Sequence, residues 1–168
     1  MNNVCVFVDG NNIFHSAMQA GIQIDYTKLL AVLTNGEDYT KAVFYTGSDE
    51  TADKQRSFLH WLTRNGWRVV KKPVKLDKDN VRRAHLELEM ATDMLMSVIN
   101  GATTIILVSG DEDFAYTLGK IQDRDVRVIV AGYRGAMANK LLDVADEFIE
   151  LDQVDIAKNV GVGNEVEA

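Results

Sequence analysis

Short runs of β-branched and other apolar residues alternate along this chain with longer segments in which apolar residues recur every three or four positions. The short runs end in glycine, serine or aspartate and predict strands, whereas the longer segments predict helices. The predicted strands are residues 4–8, 41–46, 67–70, 104–108, 127–131 and 148–151. Strands that alternate with helices favour a mostly parallel sheet covered on both faces. We therefore predict an α/β fold built as a three-layer sandwich.

The helical segments define one domain. The predicted helices are residues 13–20, 26–33, 51–64, a long helix from Asp79 or Asn80 to about Asn100, residues 114–123 and residues 140–144. Residues 71–80 are irregular and hold the only proline. The pattern fades after residue 151, so we predict a domain over residues 1–151 and a flexible acidic tail over residues 152–168.

Three aspartates stand where predicted strands end. Asp9 closes the first strand, and Asp111 and Asp113 follow the fourth. In a doubly wound sheet the carboxyl ends of the strands share one edge, and ligands bind there. Helix capping is the alternative role, since aspartate is a favoured N-cap residue. Capping explains one of the paired aspartates well and the second one poorly.

The long helix adds further carboxylates. On a helical wheel its apolar residues form one broad band, made of Leu86, Leu88, Met90, Ala91, Met94, Leu95, Val98 and Ile99. Glu87 lies inside this band, where a carboxylate is costly unless it is paired or binds a cation. We therefore predict that Glu87 ligates a metal, with a salt bridge to Arg82 or Arg83 as the alternative. Asp93 is a further candidate ligand or a hydrogen-bonded brace, and Glu89 is expected to be solvated.

An oxygen-rich set of ligands suits Mg²⁺ or Mn²⁺. It does not suit zinc, because the three histidines are scattered and Cys5 is the only cysteine. No Walker A motif is present, and no glycine-rich nucleotide loop follows the first strand. The predicted chemistry is hydrolysis of a phosphodiester at a metal held by the catalytic residues Asp9, Glu87, Asp111 and Asp113.

Polar and basic residues near these acids are candidates for substrate binding. Asn12 and Ser109 lie just beyond the two strand ends and could orient a phosphate or a water molecule, although Asn12 could instead cap a helix. Lys75, Arg82 and Arg83 lie on the segment that leads into the long helix and could contact a nucleic-acid backbone. The alternative for this charged loop is simple solvation.

Composition limits the possible partners. The formal net charge of −7 over 168 residues argues against a surface that coats nucleic acid, but not against a nucleic-acid enzyme with a local basic patch. No apolar run approaches the roughly 20 residues that a membrane span needs, so no membrane partner is predicted. A single buried cysteine fits a cytoplasmic setting, and a homodimer is possible.

Two sequence motifs stand out, VFVDGNN at residues 6–12 and LVSGDEDF at residues 107–114, with supporting segments at residues 87–95, 128–132 and 141–148. In these motifs the chain resembles the NYN domain family, in particular its bacterial LabA-like branch, which is related to the PIN-domain nucleases. The resemblance implies a Rossmann-like, PIN-type sheet and a metal-dependent ribonuclease that acts on RNA. Its acidic residues correspond to Asp9, Asp111 and Asp113.

Two departures from the family pattern keep an alternative open. Glu87 stands where the family usually has aspartate, and Ala84-His85 stands where it often has Lys-Gly. The second hypothesis is therefore a catalytically weak or inactive member that acts as a regulatory or RNA-binding protein. A phosphatase of the haloacid-dehalogenase type ranks below both, because Asn11 occupies the position of its second aspartate.

Overall fold

The computed structural model describes residues 1–159. Its centre is a six-stranded sheet in the order β3-β2-β1-β6-β7-β8, and every neighbouring pair of strands is parallel. The strands are β1 (Val4–Asp9), β2 (Lys41–Ser48), β3 (Trp67–Pro73), β6 (Thr104–Val108), β7 (Arg127–Gly132) and β8 (Glu147–Glu150), with a separate hairpin of β4 (Lys75–Leu76) and β5 (Arg82–Arg83). The predicted α/β class and its parallel sheet are confirmed.

Two hydrophobic cores, one on each face of the sheet, make the sandwich. The helices are α1 (Gly10–Gln19), α2 (Tyr26–Thr34), α3 (Asp53–Arg64), α4 (Glu87–Ile99), α5 (Ala115–Gln122) and α6 (Asn139–Val144). The first three helices pack on Val6, Val8 and Phe44, and the last three pack on Phe7 and Tyr45. Alternate residues of the same strands thus serve both cores. None of the helices described is long and apolar enough to cross a membrane.

The start of the long helix was predicted incorrectly. Helix α4 begins at Glu87, and the residues before it form the β4–β5 hairpin. The Asp77 carboxylate accepts hydrogen bonds from the backbone N–H groups of Asp79 and Val81, and Asn80 has a left-handed φ of 58°. These local bonds form a tight turn that competes with helical hydrogen bonding. The hairpin packs over the carboxyl end of β2, where Val74 and Ala84 lie against Gly47.

The apolar band predicted along this helix is only partly buried. Met90 and Met94 are buried against the sheet, but Leu88 is 82% exposed and Ile99 is 67% exposed. The band therefore extends around two sides of the helix, and only one of them faces the core.

The first part of the predicted tail is docked on the domain. Ile156 is buried, its carbonyl accepts a hydrogen bond from the Asp25 backbone N–H, and Ala157 forms an isolated bridge with Ile24. Within residues 152–159, the buried side chain of Ile156 is thus in contact with the domain. The remainder of that prediction, residues 160–168, lies outside the described residues.

Candidate functional site

The strand order makes neighbours of the two strand ends that carry the predicted aspartates, those of β1 and β6. Strands β1 and β6 are neighbours at the centre of the sheet. The strands β2 and β3 continue the sheet on the β1 side, and β7 and β8 continue it on the β6 side. Their register pairs Val8 with Val108, so Asp9 and Ser109 emerge side by side at the carboxyl edge. This is the switch point of a doubly wound sheet, where ligands bind.

Two hydrogen bonds hold the Asp9 carboxylate at this edge. The Asn12 backbone N–H donates to Oδ1 over 3.3 Å, and the Ser109 hydroxyl donates to Oδ2 over 3.0 Å. The Asn12 side chain accepts a hydrogen bond from the Gly110 backbone N–H at 3.0 Å. Asn12 and Ser109 therefore fasten the loop after β1 to the loop after β6 and fix the orientation of Asp9.

Asp9 lies in an environment that opposes its charge. Burial raises its pKa above the ordinary value, while the hydrogen bonds from Asn12 and Ser109 act in the opposite direction. The nearby carboxylates of Glu87 and Asp111 raise the pKa further. Within residues 1–159 no lysine or arginine forms an ion pair with Asp9. A cation bound among these acids would relieve both the burial and the repulsion.

We expect the Asp9→Asn variant to melt at a higher temperature than the wild type at neutral pH without metal. Because the pKa of Asp9 is raised in the folded state, the wild type loses stability as the pH rises from the unfolded-state pKa, about 4. The gain should therefore vanish at acidic pH, where wild-type Asp9 is neutral. Thermal melts followed by circular dichroism in EDTA, with Asp113→Asn as the exposed control, test this. A lower melting temperature for Asp9→Asn at neutral pH would contradict it.

Asp111 and Asp113 follow β6 in a short 3₁₀ turn. The Asp111 side chain accepts a hydrogen bond from the Asp113 backbone N–H at 3.0 Å and so caps the turn. The Asp111 backbone N–H in turn donates to the Ser109 hydroxyl at 3.2 Å. Asp111 is partly buried beside Asp9, whereas Asp113 is exposed. Capping therefore accounts for the side chain of Asp111, whereas no hydrogen bond or ion pair of the Asp113 side chain occurs within residues 1–159.

Glu87 does not pair with the arginines that were the alternative to a metal. Arg82 contacts Asp49 at 3.1 Å, and Arg83 contacts Asp77 at 3.5 Å. Glu87 is the first residue of α4, partly buried, and its carboxylate lies 3.8 Å from His85 Nδ1. Glu87 stands at the start of α4, and its carboxylate is close enough to raise the pKa of Asp9. It therefore lies at the same edge as Asp9 and Asp111.

The other acids of α4 have partners that the sequence did not suggest. The Tyr45 hydroxyl donates to Asp93 Oδ2 over 2.6 Å, which is a bracing contact between β2 and α4. Glu89 was expected to be solvated, which is wrong, because the Lys72 ammonium donates to Oε1 at 2.8 Å. Tyr45 and Lys72 lie far from these acids in sequence, so helical periodicity alone could not identify them.

The β4–β5 hairpin concentrates positive charge beside the acidic edge. In its register Lys75 stands opposite Arg83, and both side chains are exposed. Like charges directly opposite each other on an antiparallel pair are destabilising. Arg82 and Lys78 are exposed as well. The ion pair of Arg83 with Asp77 at 3.5 Å offsets part of this repulsion.

The acidic residues around Asp9 are candidate ligands of a metal ion. Across the described residues, no three acidic, histidine or cysteine side chains lie close enough together to form a ready-made metal cluster. The groups that surround Asp9 are carboxylates, which Mg²⁺ and Mn²⁺ prefer. Mg²⁺ commonly binds one or two carboxylates and keeps several waters. The residues therefore fit a hydrated Mg²⁺ or Mn²⁺ ion and do not fit zinc.

The fold is that of a PIN-like protein. The NYN domain family matches residues 3–152, so the chain belongs to the NYN domain family, within the PIN-like superfamily. This confirms the resemblance found in the sequence motifs. Membership indicates a nuclease-type or RNA-related function.

Two known proteins are similar to this one over almost the whole chain. The chain is 28% identical over 161 residues to the Low amplitude and bright protein LabA of Synechococcus elongatus, covering 91% of this chain and 86% of that one. It also matches the crystal structure of a protein of unknown function from Vibrio parahaemolyticus. That likeness has a TM-score of 0.80 and 27% identity and covers 90% of this chain and 94% of the other.

Proposed function

We propose that this protein is a cytoplasmic ribonuclease that depends on Mg²⁺ or Mn²⁺ and hydrolyses RNA phosphodiester bonds. The observation that carries the proposal is Asp9, a partly buried carboxylate with raised pKa that has Glu87 and Asp111 as neighbours and no basic partner among the described residues. Such a set is costly for the fold alone and becomes favourable when a cation binds.

Each acidic residue has a role in this proposal. Asp9 and Asp111 would hold the ion from the two central strand ends, with Glu87 approaching from the start of α4 and Asp113 from the exposed side. A bound ion supplies polarisation of the scissile phosphate and activation of a water molecule. Asn12 and Ser109 position Asp9 through their hydrogen bonds, so its carboxylate keeps one orientation while the substrate binds.

The basic hairpin supplies the surface for the RNA backbone. Lys75, Arg82 and Arg83 are exposed, and the hairpin leads directly into the helix that begins with Glu87. Phosphate contacts of this kind position nucleic acid without reading its sequence. The RNA would therefore run from the hairpin across the carboxyl edge of the sheet.

The proposal predicts metal-dependent cleavage of RNA. Labelled single-stranded and structured RNAs should be incubated with the full chain in Mn²⁺, in Mg²⁺ and in EDTA. We expect cleavage with either metal and none in EDTA, because the acids alone cannot activate water or neutralise the phosphate. Intact RNA in every lane would reject the ribonuclease, and cleavage that persists in EDTA would reject the metal.

A second candidate is an NYN-type regulatory or RNA-binding protein with weak or no catalysis. It is favoured by the absence of a ready-made metal cluster among residues 1–159 and by Ala84-His85 in place of Lys-Gly. This candidate predicts that the full chain retains labelled RNA in a filter-binding assay but leaves it intact in Mn²⁺. The two candidates therefore differ in cleavage and not in binding.

A further inference from the structure

A cleft lies between helices α1 and α3, on the face of the sheet that these helices cover. Its volume is about 670 Å³, within the roughly 300–1,000 Å³ that small-molecule sites occupy. Phe44 and Thr46 of β2 form its floor, and one wall begins with Gly10 and Asn11 of α1. Asp9 is the residue directly before that wall. The cleft therefore adjoins the acidic edge of the sheet.

The lining of the cleft is rich in aromatic rings. They belong to Phe14, Tyr26, Phe44 and Phe58. The last three are packed together, with ring centroids 5.3 Å apart for Tyr26 and Phe44 and 5.8 Å apart for Phe44 and Phe58. Phe14 is 51% exposed, so its ring is accessible to a ligand. Accessible rings beside a backbone-binding surface are the platforms on which nucleobases stack.

The floor of the cleft also contains a buried hydroxyl group. Thr46 is only 7% exposed, and its hydroxyl donates a hydrogen bond to the Gly47 carbonyl at 3.0 Å. The hydroxyl oxygen keeps lone pairs that can accept a hydrogen bond from a ligand. A suitable ligand therefore has flat faces that stack and hydrogen-bond donors on its edge. A nucleobase has both features.

The cleft is linked to the basic hairpin as well as to the acidic edge. Gln55 lines the cleft, and its side-chain carbonyl accepts a hydrogen bond from the Asp49 backbone N–H at 2.9 Å. The Asp49 carboxylate in turn contacts Arg82 of β5 at 3.1 Å. An RNA backbone that runs from the hairpin to Asp9 would therefore pass the mouth of the cleft.

We propose that this cleft binds a nucleobase of the RNA, beside the phosphate that lies at the acidic edge. The inference rests on the proposed function and adds to it the part of the substrate that is recognised besides the backbone. A base can enter a cleft only when it is unpaired and turned out of its stack. The protein should therefore bind single-stranded RNA in preference to a duplex of the same sequence.

Fluorescence anisotropy of a short labelled RNA, titrated with the full chain in EDTA, tests the proposal without cleavage. The probes are the single strand, the same strand in a duplex, and a ribose-phosphate strand of equal length that lacks bases. We expect the single strand to bind at least about tenfold more tightly than the other two, because stacking of a base on an aromatic ring has an effect of about that size. Equal affinity for the strand without bases would overturn the proposal.

A competition experiment distinguishes RNA from a free nucleotide as the source of the base. Unlabelled RNA should displace the labelled strand at far lower concentrations than adenosine monophosphate does, because the RNA also contacts the hairpin through its phosphates. Displacement by both competitors at equal concentrations would assign the cleft to a free nucleotide and overturn the proposal.

A variant of the exposed ring places the base in the cleft. Phe14→Ala should weaken binding of the single strand by about tenfold and leave binding of the strand without bases unchanged. Tyr116→Ala is the matched control, because Tyr116 is an exposed aromatic residue of α5 that lies outside the cleft. Wild-type affinity of Phe14→Ala, or an equal loss in Tyr116→Ala, would overturn the proposal.

Two variants of Thr46 test the hydrogen bond to the base. Thr46→Val keeps the shape of the side chain and should weaken binding of the single strand by about fivefold, whereas Thr46→Ser keeps the hydroxyl and should bind like the wild type. Circular dichroism verifies that each variant is folded, and equal affinities of the two would contradict the proposal. RNA that stays intact in Mn²⁺ but binds through its bases in EDTA would reject the ribonuclease alone.

Discussion

Asp111→Asn should lower the rate of metal-dependent RNA cleavage by at least about a hundredfold. Substitution of a residue that only supports a metal ligand already lowers metal affinity or activity by about 10–100-fold, and Asp111 is proposed as a ligand itself. The substitution removes one negative charge from the group around Asp9 and keeps the shape of the side chain. The carbonyl oxygen of asparagine can still accept the hydrogen bond that the Asp113 backbone N–H donates at 3.0 Å. Asparagine is also a good capping residue. The expected result is therefore an inactive protein with an intact fold.

Glu112→Gln is the matched control for this experiment. Glu112 lies beside Asp111 in the sequence but is exposed, and its carboxylate lies 3.6 Å from the Lys140 ammonium. We expect its cleavage rate and melting temperature to equal those of the wild type. If Asp111→Asn cleaved RNA at the wild-type rate, the assignment of the metal site to this edge would be wrong.

The sequence predicts most of what depends on local pattern. Each strand of the sheet appears as a short apolar run. Asp25, a residue type that favours N-caps, stands directly before α2 and accepts hydrogen bonds from the Thr27 and Lys28 backbone N–H groups. The edge that joins Asp9 to Asp111 also follows from the sequence, because strand order in a doubly wound sheet obeys general rules.

The errors occur where contacts over long sequence separation decide the structure. Leu88 and Ile99 belong to the same apolar pattern as Met90, and only tertiary packing determines which side of α4 is buried. The partners of Asp93 and Glu89 are Tyr45 and Lys72, which come from β2 and β3. The periodicity of one helix cannot predict which residues of another strand or helix will contact it.

Gly110 illustrates a constraint that is visible only in the structure. A Cβ atom at this position would lie 1.9 Å from the Ala136 carbonyl oxygen, in the loop after β7. The Gly110 carbonyl also accepts a hydrogen bond from the Ala138 backbone N–H at 3.2 Å. The loops that follow β6 and β7 therefore touch backbone to backbone, and the position of Asp111 depends on this contact.

Gly110→Ala should consequently destabilise the fold by about 2 kcal/mol or more, which is the range for forced overpacking. For a domain of this size that cost corresponds to a decrease of about 5 °C in melting temperature. Cleavage should decrease as well, since the backbone that carries Asp111 must move. Urea denaturation measures the change in stability, and the RNA assay measures the change in activity.

Gly135→Ala is the control, because a Cβ atom there meets nothing within 4 Å. Both substitutions add one methyl group to a loop at the same edge of the sheet, and both restrict the unfolded chain in the same way. A difference between them therefore reports the backbone contact alone. An unchanged urea midpoint for Gly110→Ala would mean that the two loops can separate without cost, and Asp111 would then not be held in place by the loop after β7.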